Sequence, residues 1–153
     1  MSVIDRFYRA FAERDADGMC ACYHPAVRFS DPVFPDLQGP RAGAMWQMLC
    51  ANGQDLRIEY ERLDEKSARW NAWYTFQGGR AVRNLIDASF ELEDGLITRH
   101  TDRFDLWRWS RMALGPTGYL LGWTPMVQSA IRRQADKSLD RWIETKGLPE
   151  LNR

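Results

Sequence analysis

Long hydrophobic runs are missing from this chain of 153 residues. Its longest stretch poor in charge, Met112 to Gln128, is interrupted by Gly115, Pro116, Gly118, Gly122 and Pro125. That leaves it too short and too broken for a membrane-spanning helix. The first residues carry Asp5, Arg6, Arg9, Glu13 and Arg14, so no apolar leader is expected. A surplus of charge is missing too, because 21 Lys+Arg balance 21 Asp+Glu. Binding to nucleic acid draws on a basic excess, and so does docking to anionic lipid. No nucleic acid and no membrane are therefore expected as partners. Cysteine is scarce: Cys20, Cys22 and Cys50 are too few, and odd in number, for a disulfide framework, which suits a reducing, cytoplasmic location. Cys20, Cys22 and His24 have the letters of a ligand set, but Cys20 and Cys22 diverge on a helix, and no metal is expected. No Gly-rich phosphate loop joins a strand to a helix, no Gly-x-Ser-x-Gly elbow occurs and no repeat is visible. No cofactor is called for.

What is present is oily. Hydrophobic residues make up 44% and aromatics 12%, with 7 Trp, enough for one core in a chain of single-domain length. Ser2 caps a first helix through Val3, Ile4, Phe7, Tyr8 and Phe11, with Asp5 in the position of a capping box. Asp15 or Asp17 caps a short second helix through Met19, Cys22 and Tyr23, ended by His24-Pro25. Val27 to Asp31 reads as a strand, and Pro32 to Asp36 as an irregular loop. Pro40 opens a helix that stops near Gly53. Four strands follow: Leu56–Leu63, Ala68–Phe76, Ala81–Leu92 and Leu96–Trp107. Gly78-Gly79 and Asp94-Gly95 are tight turns between them, which implies antiparallel pairing. Trp109–Leu114 reads as a helix, Gly115 to Gly118 as a turn. Thr124 and Pro125 start a last helix striped by Val127, Ile131, Ala135, Leu139 and Trp142. The fold class is α+β.

Polar groups interrupt the apolar strand faces. Counting by twos places Val27, Phe29 and Asp31 together, then Val82, Asn84, Ile86, Ala88, Phe90 and Leu92, then Leu96, Thr98, His100, Asp102, Phe104 and Leu106. Trp70 and Tyr74 share the face of the intervening strand. A buried carboxylate is costly unless paired or facing a ligand cavity, and convergent polar groups in an apolar concavity mark a binding site. Asp31, His100 and Asp102 are the catalytic candidates. Tyr8, Trp46, Trp70, Tyr74, Asn84 and Phe90 are the candidates for the substrate wall. Each has a plainer alternative: Asp31-Pro32 starts a turn, Asn84 satisfies backbone at a bulge, and His100 with Asp102 is an ordinary structural pair. Asp105 is read as a helix cap.

The segments Phe7-Tyr8-Arg9-Ala10-Phe11-Ala12-Glu13-Arg14-Asp15, Val27-Arg28-Phe29-Ser30-Asp31-Pro32 and Asp94-Gly95-Leu96-Ile97-Thr98-Arg99-His100-Thr101-Asp102-Arg103-Phe104-Asp105 resemble the nuclear transport factor 2-like superfamily. Its members include SnoaL-like polyketide cyclases, ketosteroid isomerases, limonene-epoxide hydrolases and scytalone dehydratases. The resemblance implies a curved antiparallel sheet forming a cone-shaped pocket closed by N-terminal helices, here over residues 1–110. Residues 111–153 go beyond what such a domain needs, and the apolar stripe of their extra C-terminal helix is expected to pack on the same domain or its dimer partner. The resemblance also implies that Asp31 stands where ketosteroid isomerases carry their proton-transferring Asp. The position of their oxyanion-binding Tyr falls on Phe7, one residue from Tyr8. An Arg-x-Asp pair of the epoxide-hydrolase kind is not found on the second long strand. The SnoaL-like cyclases look closest in the final strand, where His100 and Asp102 face the pocket.

The resulting expectation is a cofactor-independent enzyme doing acid/base chemistry on a small apolar carbonyl compound. Asp31 or Asp102 would take a proton, His100 would return one, and Asn84 or Tyr74 would steady an oxyanion. The alternative is a non-catalytic ligand-binding or dimerisation module. A homodimer is expected through the outer sheet face around Trp73. The Tyr119–Trp123 segment, too apolar for water, is expected to help close the pocket mouth, and attachment of the tail to a membrane surface is the alternative.

Overall fold

A computed structural model describes residues 1–77 and 79–152 of the chain. Gly78 of the Gly78-Gly79 turn lies outside the described residues. Helix α1 (Val3–Ala12) starts where Ser2 Oγ accepts the Asp5 amide at 3.3 Å, and it buries Val3, Ile4, Phe7, Tyr8 and Phe11 on one face. Asp15 caps α2 (Ala16–Cys20) by accepting the Gly18 amide. This helix ends three residues before the expected boundary. Pro25 disfavours helical geometry just ahead of it, and Tyr23 instead begins strand β1 (Tyr23–Ser30), pairing with Ile97. A two-residue strand β2 (Leu37–Gln38) follows the Pro-rich loop, and α3 (Pro40–Asn52) starts at Pro40 and ends at Gly53.

Strands β3 (Arg57–Arg62), β4 (Ser67–Phe76), β5 (Arg80–Glu93) and β6 (Leu96–Arg103) form the antiparallel block read from the sequence. The full sheet runs β2-β1-β6-β5-β4-β3 and is curved and unclosed. It is not wholly antiparallel, since β1 lies parallel to β6. Asp94 and Gly95 both take positive φ, 52° and 76°, which a two-residue hairpin turn between right-twisted strands demands. Beside that turn a bulge shifts the β5–β6 register at Glu91/Leu92, and Thr98 Oγ1 donates to the Glu91 carbonyl. The extra residue breaks the period of two. Ile97 is therefore buried and Leu92 and Thr98 are not, contrary to simple alternation.

β6 stops at Arg103 because Asp105 caps α4 (Leu106–Leu114), accepting the Arg108 amide. The expected turn at Gly115 to Gly118 is instead a short helix, α5 (Pro116–Leu121), with Pro116 in its first turn. Its Gly118 and Gly122 lie so close to α4 that a Cβ on either would collide with Ser110. With its small residues against α4, α5 turns Tyr119, Leu120 and Leu121 outward, and Trp123 after it is exposed as well. These residues line neither of the two hollows described below.

Helix α6 (Pro125–Lys146) begins at Thr124 as expected. Leu139 is fully buried, with Ala135, Trp142 and Ile143 packed on the main core and Ile131 on a second cluster around Val82, Leu106, Trp109 and Ala113. Arg41 of α3 grips Asp136 and Asp140 at 2.7 and 2.8 Å. Among the described residues no helix is long and apolar enough to cross a membrane. Replacing Leu139 by Ala removes the one α6 side chain wholly inside the core. It should cost about 3 kcal/mol and lower Tm by roughly 10 °C in a thermal melt. An unchanged Tm would show that α6 adds nothing to the core.

Candidate functional site

The β1–β6 register sets Phe29 beside His100, and the β5–β6 register sets Phe90 beside His100 and Ala88 beside Asp102. His100 is thus driven into the middle of the inner face, where its exposure is 0%. Trp46 stacks on its ring at 6.0 Å, Phe90 tilts against it at 4.4 Å, and Phe7 and Phe29 meet it edge-on. Neither ring nitrogen is left alone: Nδ1 is 2.8 Å from the Tyr23 hydroxyl and Nε2 is 2.9 Å from Asp102 Oδ1. Trp46 Nε1 in turn donates to the Tyr23 oxygen at 2.8 Å. One proton arrangement satisfies every member. Tyr23 accepts from Trp46 and donates to Nδ1, which leaves a hydrogen on Nε2 to be donated to Asp102 Oδ1.

Asp31 ends β1 on the same side. Its Oδ1 accepts the amides of Val33 and Phe34 at 2.7 and 2.6 Å, so the turn role of Asp-Pro is real. Its Oδ2 accepts no hydrogen bond from a described side chain. Burial pushes the Asp31 carboxyl up, the amides at Phe34 and Val33 oppose this, and the nearby Asp102 charge adds to it, leaving the group at about 7. Tyr74 sits within reach of the Asp31 charge. Burial raises its phenol, and the Trp109 indole, which donates to its oxygen at 2.6 Å, pulls it the other way. Tyr74 keeps its own hydrogen to donate. Asn84 is buried on β5 opposite Ala72, two positions from Val82.

The interior is packed with rings. Tyr8 stacks on Tyr60 at 4.9 Å and meets Phe90 edge-on, and Phe11 contacts both Trp46 and Trp70. Three buried polar atoms have no partner among the described residues: the Tyr8 hydroxyl and Trp70 Nε1 in this packing, and Trp142 Nε1 on α6. Such orphans are rare in native cores and mark a place for a missing polar partner. Burial, then the Asp102 charge, raises the Tyr8 phenol well above its usual value.

Asp31 and Asp102 are brought within electrostatic reach of each other, Tyr8 within reach of Asp102 and Tyr74 within reach of Asp31. His100 and Trp46 are enclosed behind Asp102. A hollow of about 390 Å³ opens beside the Asp31 turn, lined by Val33, Phe34, Pro35, Leu37, Arg132 and Asp136 among others. A second, of about 570 Å³, lies far along the chain at Glu13, Arg14, Cys50 and Gln54. Neither is lined by Asp31, Asn84, His100 or Asp102. Three residues of this region escaped the sequence reading. The apolar spacing of Met19, Cys22 and Tyr23 reads as a helix, although Pro25 behind Tyr23 argues for extended chain. Trp109 lies outside the block of strands, and Arg132, whose Nε holds the Pro32 carbonyl at 2.9 Å, is a hundred residues from its partner. Among the described residues no cluster of three or more His, Cys, Asp or Glu could hold a metal ion.

The model of the SnoaL-like domain matches residues 4–100, and the chain belongs to that family. No curated protein matches it. Among solved structures it is similar to TerC co-crystallised with polyporic acid, at 20% identity over 74% of this chain and 96% of that one, TM-score 0.63. It is also similar to a candidate polyketide cyclase from Silicibacter sp., at 24% identity over 72% and 91%, TM-score 0.59. An LEH-like epoxide hydrolase from M. tuberculosis is similar at 19% identity over 78% and 92%, TM-score 0.56. At these identities the likeness establishes the fold.

The raised Asp31 carboxyl has a consequence for stability. Between the ordinary value of 3.8 and about 7 the folded chain holds a proton that the unfolded chain has released. Its contribution therefore falls as pH rises through that window. Asp31→Asn keeps an oxygen for the Val33 and Phe34 amides and removes the titration. In melts on both sides of the window the variant should gain on the native protein as pH rises, by about 2 kcal/mol once solvent screening of a partly exposed group is allowed for. Parallel curves for the two proteins would mean that Asp31 titrates as an ordinary surface carboxylate.

Proposed function

We propose that this SnoaL-like chain is a cofactor-independent enzyme that moves a proton on a small, largely apolar carbonyl compound, as an isomerase, cyclase or dehydratase does. The observation that carries the reading is Asp31: a carboxyl at the end of a strand, one oxygen fixed by two amides, the other unbonded, with Asp102 close enough to raise its basicity. A base with a pKa near neutrality is what abstraction of a proton next to a carbonyl needs. Asp31 Oδ2 takes the proton from carbon, the electron pair moves onto the carbonyl oxygen, and Tyr74, with Asn84 beyond it, donates to the oxyanion. Asp31 then gives the proton to another carbon. His100 has both nitrogens engaged, so in this reading it orients Asp102 and does not return the proton itself. Entry is through the hollow beside Val33 and Phe34, and the ligand displaces part of the aromatic packing to meet Tyr8 and Trp70. The solved relatives, one crystallised with polyporic acid and others described as a cyclase and an epoxide hydrolase, support a small-molecule site and not one reaction.

A second reading, a non-catalytic ligand-binding or dimerisation module, is favoured by the interior being filled with the chain's own rings. A panel of enones, hydroxyketones and epoxides separates the two. The enzyme reading expects turnover of at least one enone or hydroxyketone, lowered at least about 100-fold in kcat/KM by Asp31→Asn. Thermal stabilisation by panel members without any turnover would establish the module.

We also propose a homodimer through the outer face of β4 and β5. There Trp73 lies between the guanidinium groups of Arg57 and Arg83, at 4.2 and 5.4 Å, and Leu85 is exposed. Sedimentation velocity at micromolar concentration should give a dimer that Trp73→Glu dissociates. A native monomer would end this proposal.

A further inference from the structure

Six large side chains stand out of the surface where α4, α5 and the start of α6 meet. Trp107, Tyr119, Leu120, Leu121, Trp123 and Met126 are exposed by 36%, 62%, 66%, 45%, 61% and 72%. Soluble surfaces scatter such residues singly, and a cluster marks a contact. The packing of Gly118 and Gly122 on Ser110 forces them outward.

The backbone under this cluster is arranged to do without water. The last carbonyls of a helix ordinarily rely on solvent. Here the Tyr119 carbonyl accepts from Trp107 Nε1 at 3.2 Å, that of Leu120 from Trp123 Nε1 at 3.0 Å, that of Leu121 from Thr124, and that of Gly122 from Gln128 Nε2 at 3.1 Å. The same bonds occupy both indole N–H groups, so the rings carry no unpaired donor into an apolar phase. Removing this tip from water leaves few polar groups stranded.

Charge names the other side of the contact. The even balance of the whole chain is not even here, because residues 106–134 contain Arg108, Arg111, Arg132 and Arg133 and no Asp or Glu. Arg111 lies over the Trp107 ring at 4.6 Å, inside the cluster. Aromatic rings and leucines with arginines among them, and no carboxylate, are the chemistry of the interface of an anionic bilayer. A protein dimer fits less well. Six partly exposed side chains offer on the order of several hundred Å² of apolar surface, short of the ~800 Å² per partner that a stable dimer buries.

We propose that the α4–α5 hairpin, with Trp123 and Met126, is a docking surface for an anionic phospholipid bilayer, into whose interface Leu120, Leu121 and Trp123 insert. The test is co-sedimentation of the full chain with vesicles of phosphatidylcholine and phosphatidylglycerol in a three-to-one ratio, and with vesicles of phosphatidylcholine alone. The native protein should pellet with the mixed vesicles, at least about tenfold better than with the neutral ones, and less as salt rises. A Leu120→Ser/Trp123→Ser double variant should bind at least about tenfold more weakly with an unchanged melting temperature. Arg108→Glu/Arg111→Glu, which leaves the apolar tip in place, should lose the preference for the mixed vesicles. Absence of the native protein from the mixed-vesicle pellet, or a double variant that folds and binds as well as native, would overturn the proposal. So would a solution dimer that the Leu120→Ser/Trp123→Ser variant dissolves with no vesicle-bound fraction, which would assign the surface to a second copy of the chain.

Discussion

One buried chain of hydrogen bonds, Trp46 to Tyr23 to His100 to Asp102, constrains everything around it. It joins α3, β1 and β6 through a region where the rings of Phe7, Phe29, Trp46 and Phe90 surround His100. Polar groups are affordable there only if all are satisfied, and each ring nitrogen of His100 has its partner. Loss of any member strands the next: without Tyr23 the imidazole has no donor at Nδ1, and without His100 the Asp102 carboxylate faces an aromatic wall alone. The parallel register of β1 on β6 is therefore held by more than its ladder. Tyr23, Phe29 and His100 must arrive at one point for the core to be dry.

The same constraint explains why the cone interior is full. The wire needs Trp46 and Phe90 against His100. These carry Phe11, Trp70 and Tyr8 with them, and the space that a curved sheet would leave is taken by rings. Asp31 and Tyr74 lie at the edge of this packing and Asp102 and Tyr8 within it, and these groups influence one another. Two charges near each other in poorly solvated surroundings cannot both be comfortable. Asp31 is raised to about 7, by burial first and then by the nearby Asp102, while Asp102 lies against the His100 Nε2.

Elements with a local cause were legible in the sequence. Ser2, Asp105 and Thr124 each cap a helix because a short polar side chain can reach an amide three residues on, and Asp94-Gly95 turns because two residues accept positive φ. The inner faces of β4 and β5 followed from a period of two. What failed had a non-local cause. The bulge at Glu91/Leu92 moved Ile97 into the core and Thr98 out of it, and no count along one strand reveals a residue inserted against its partner. Tyr23 went to a helix because its strand partner is more than seventy residues away. For the site, the shared face of His100 and Asp102 could be counted, but the enclosure of His100 by Phe7, Phe29, Trp46 and Phe90 could not. That enclosure is what separates a group that meets substrate from one that steadies its neighbour. Asp31 was readable both as a turn former and as a base, and it makes the turn while keeping an oxygen unbonded.

Helix α4 links the two proposed surfaces. Trp109 points inward to the Tyr74 hydroxyl, Ser110 lies under Gly118 and Gly122, and Trp107 points outward among the exposed side chains. These three residues are consecutive but for one position, so on a helix they face three directions, and a short rigid element cannot shift one without the others. The Val33 side of the Asp31 turn packs on the cluster that contains Leu106 and Trp109, and Arg132 of α6 ties the Pro32 carbonyl to the same region. A bilayer that gripped Leu120 and Trp123 would hold α4 and the first half of α6 in place. It would thereby act on the donor Tyr74 and on the loop that sets Asp31, the two groups the proposed chemistry needs. An apolar carbonyl compound partitions into that same interface, so a chain docked there would meet its ligand at a higher local concentration than in water.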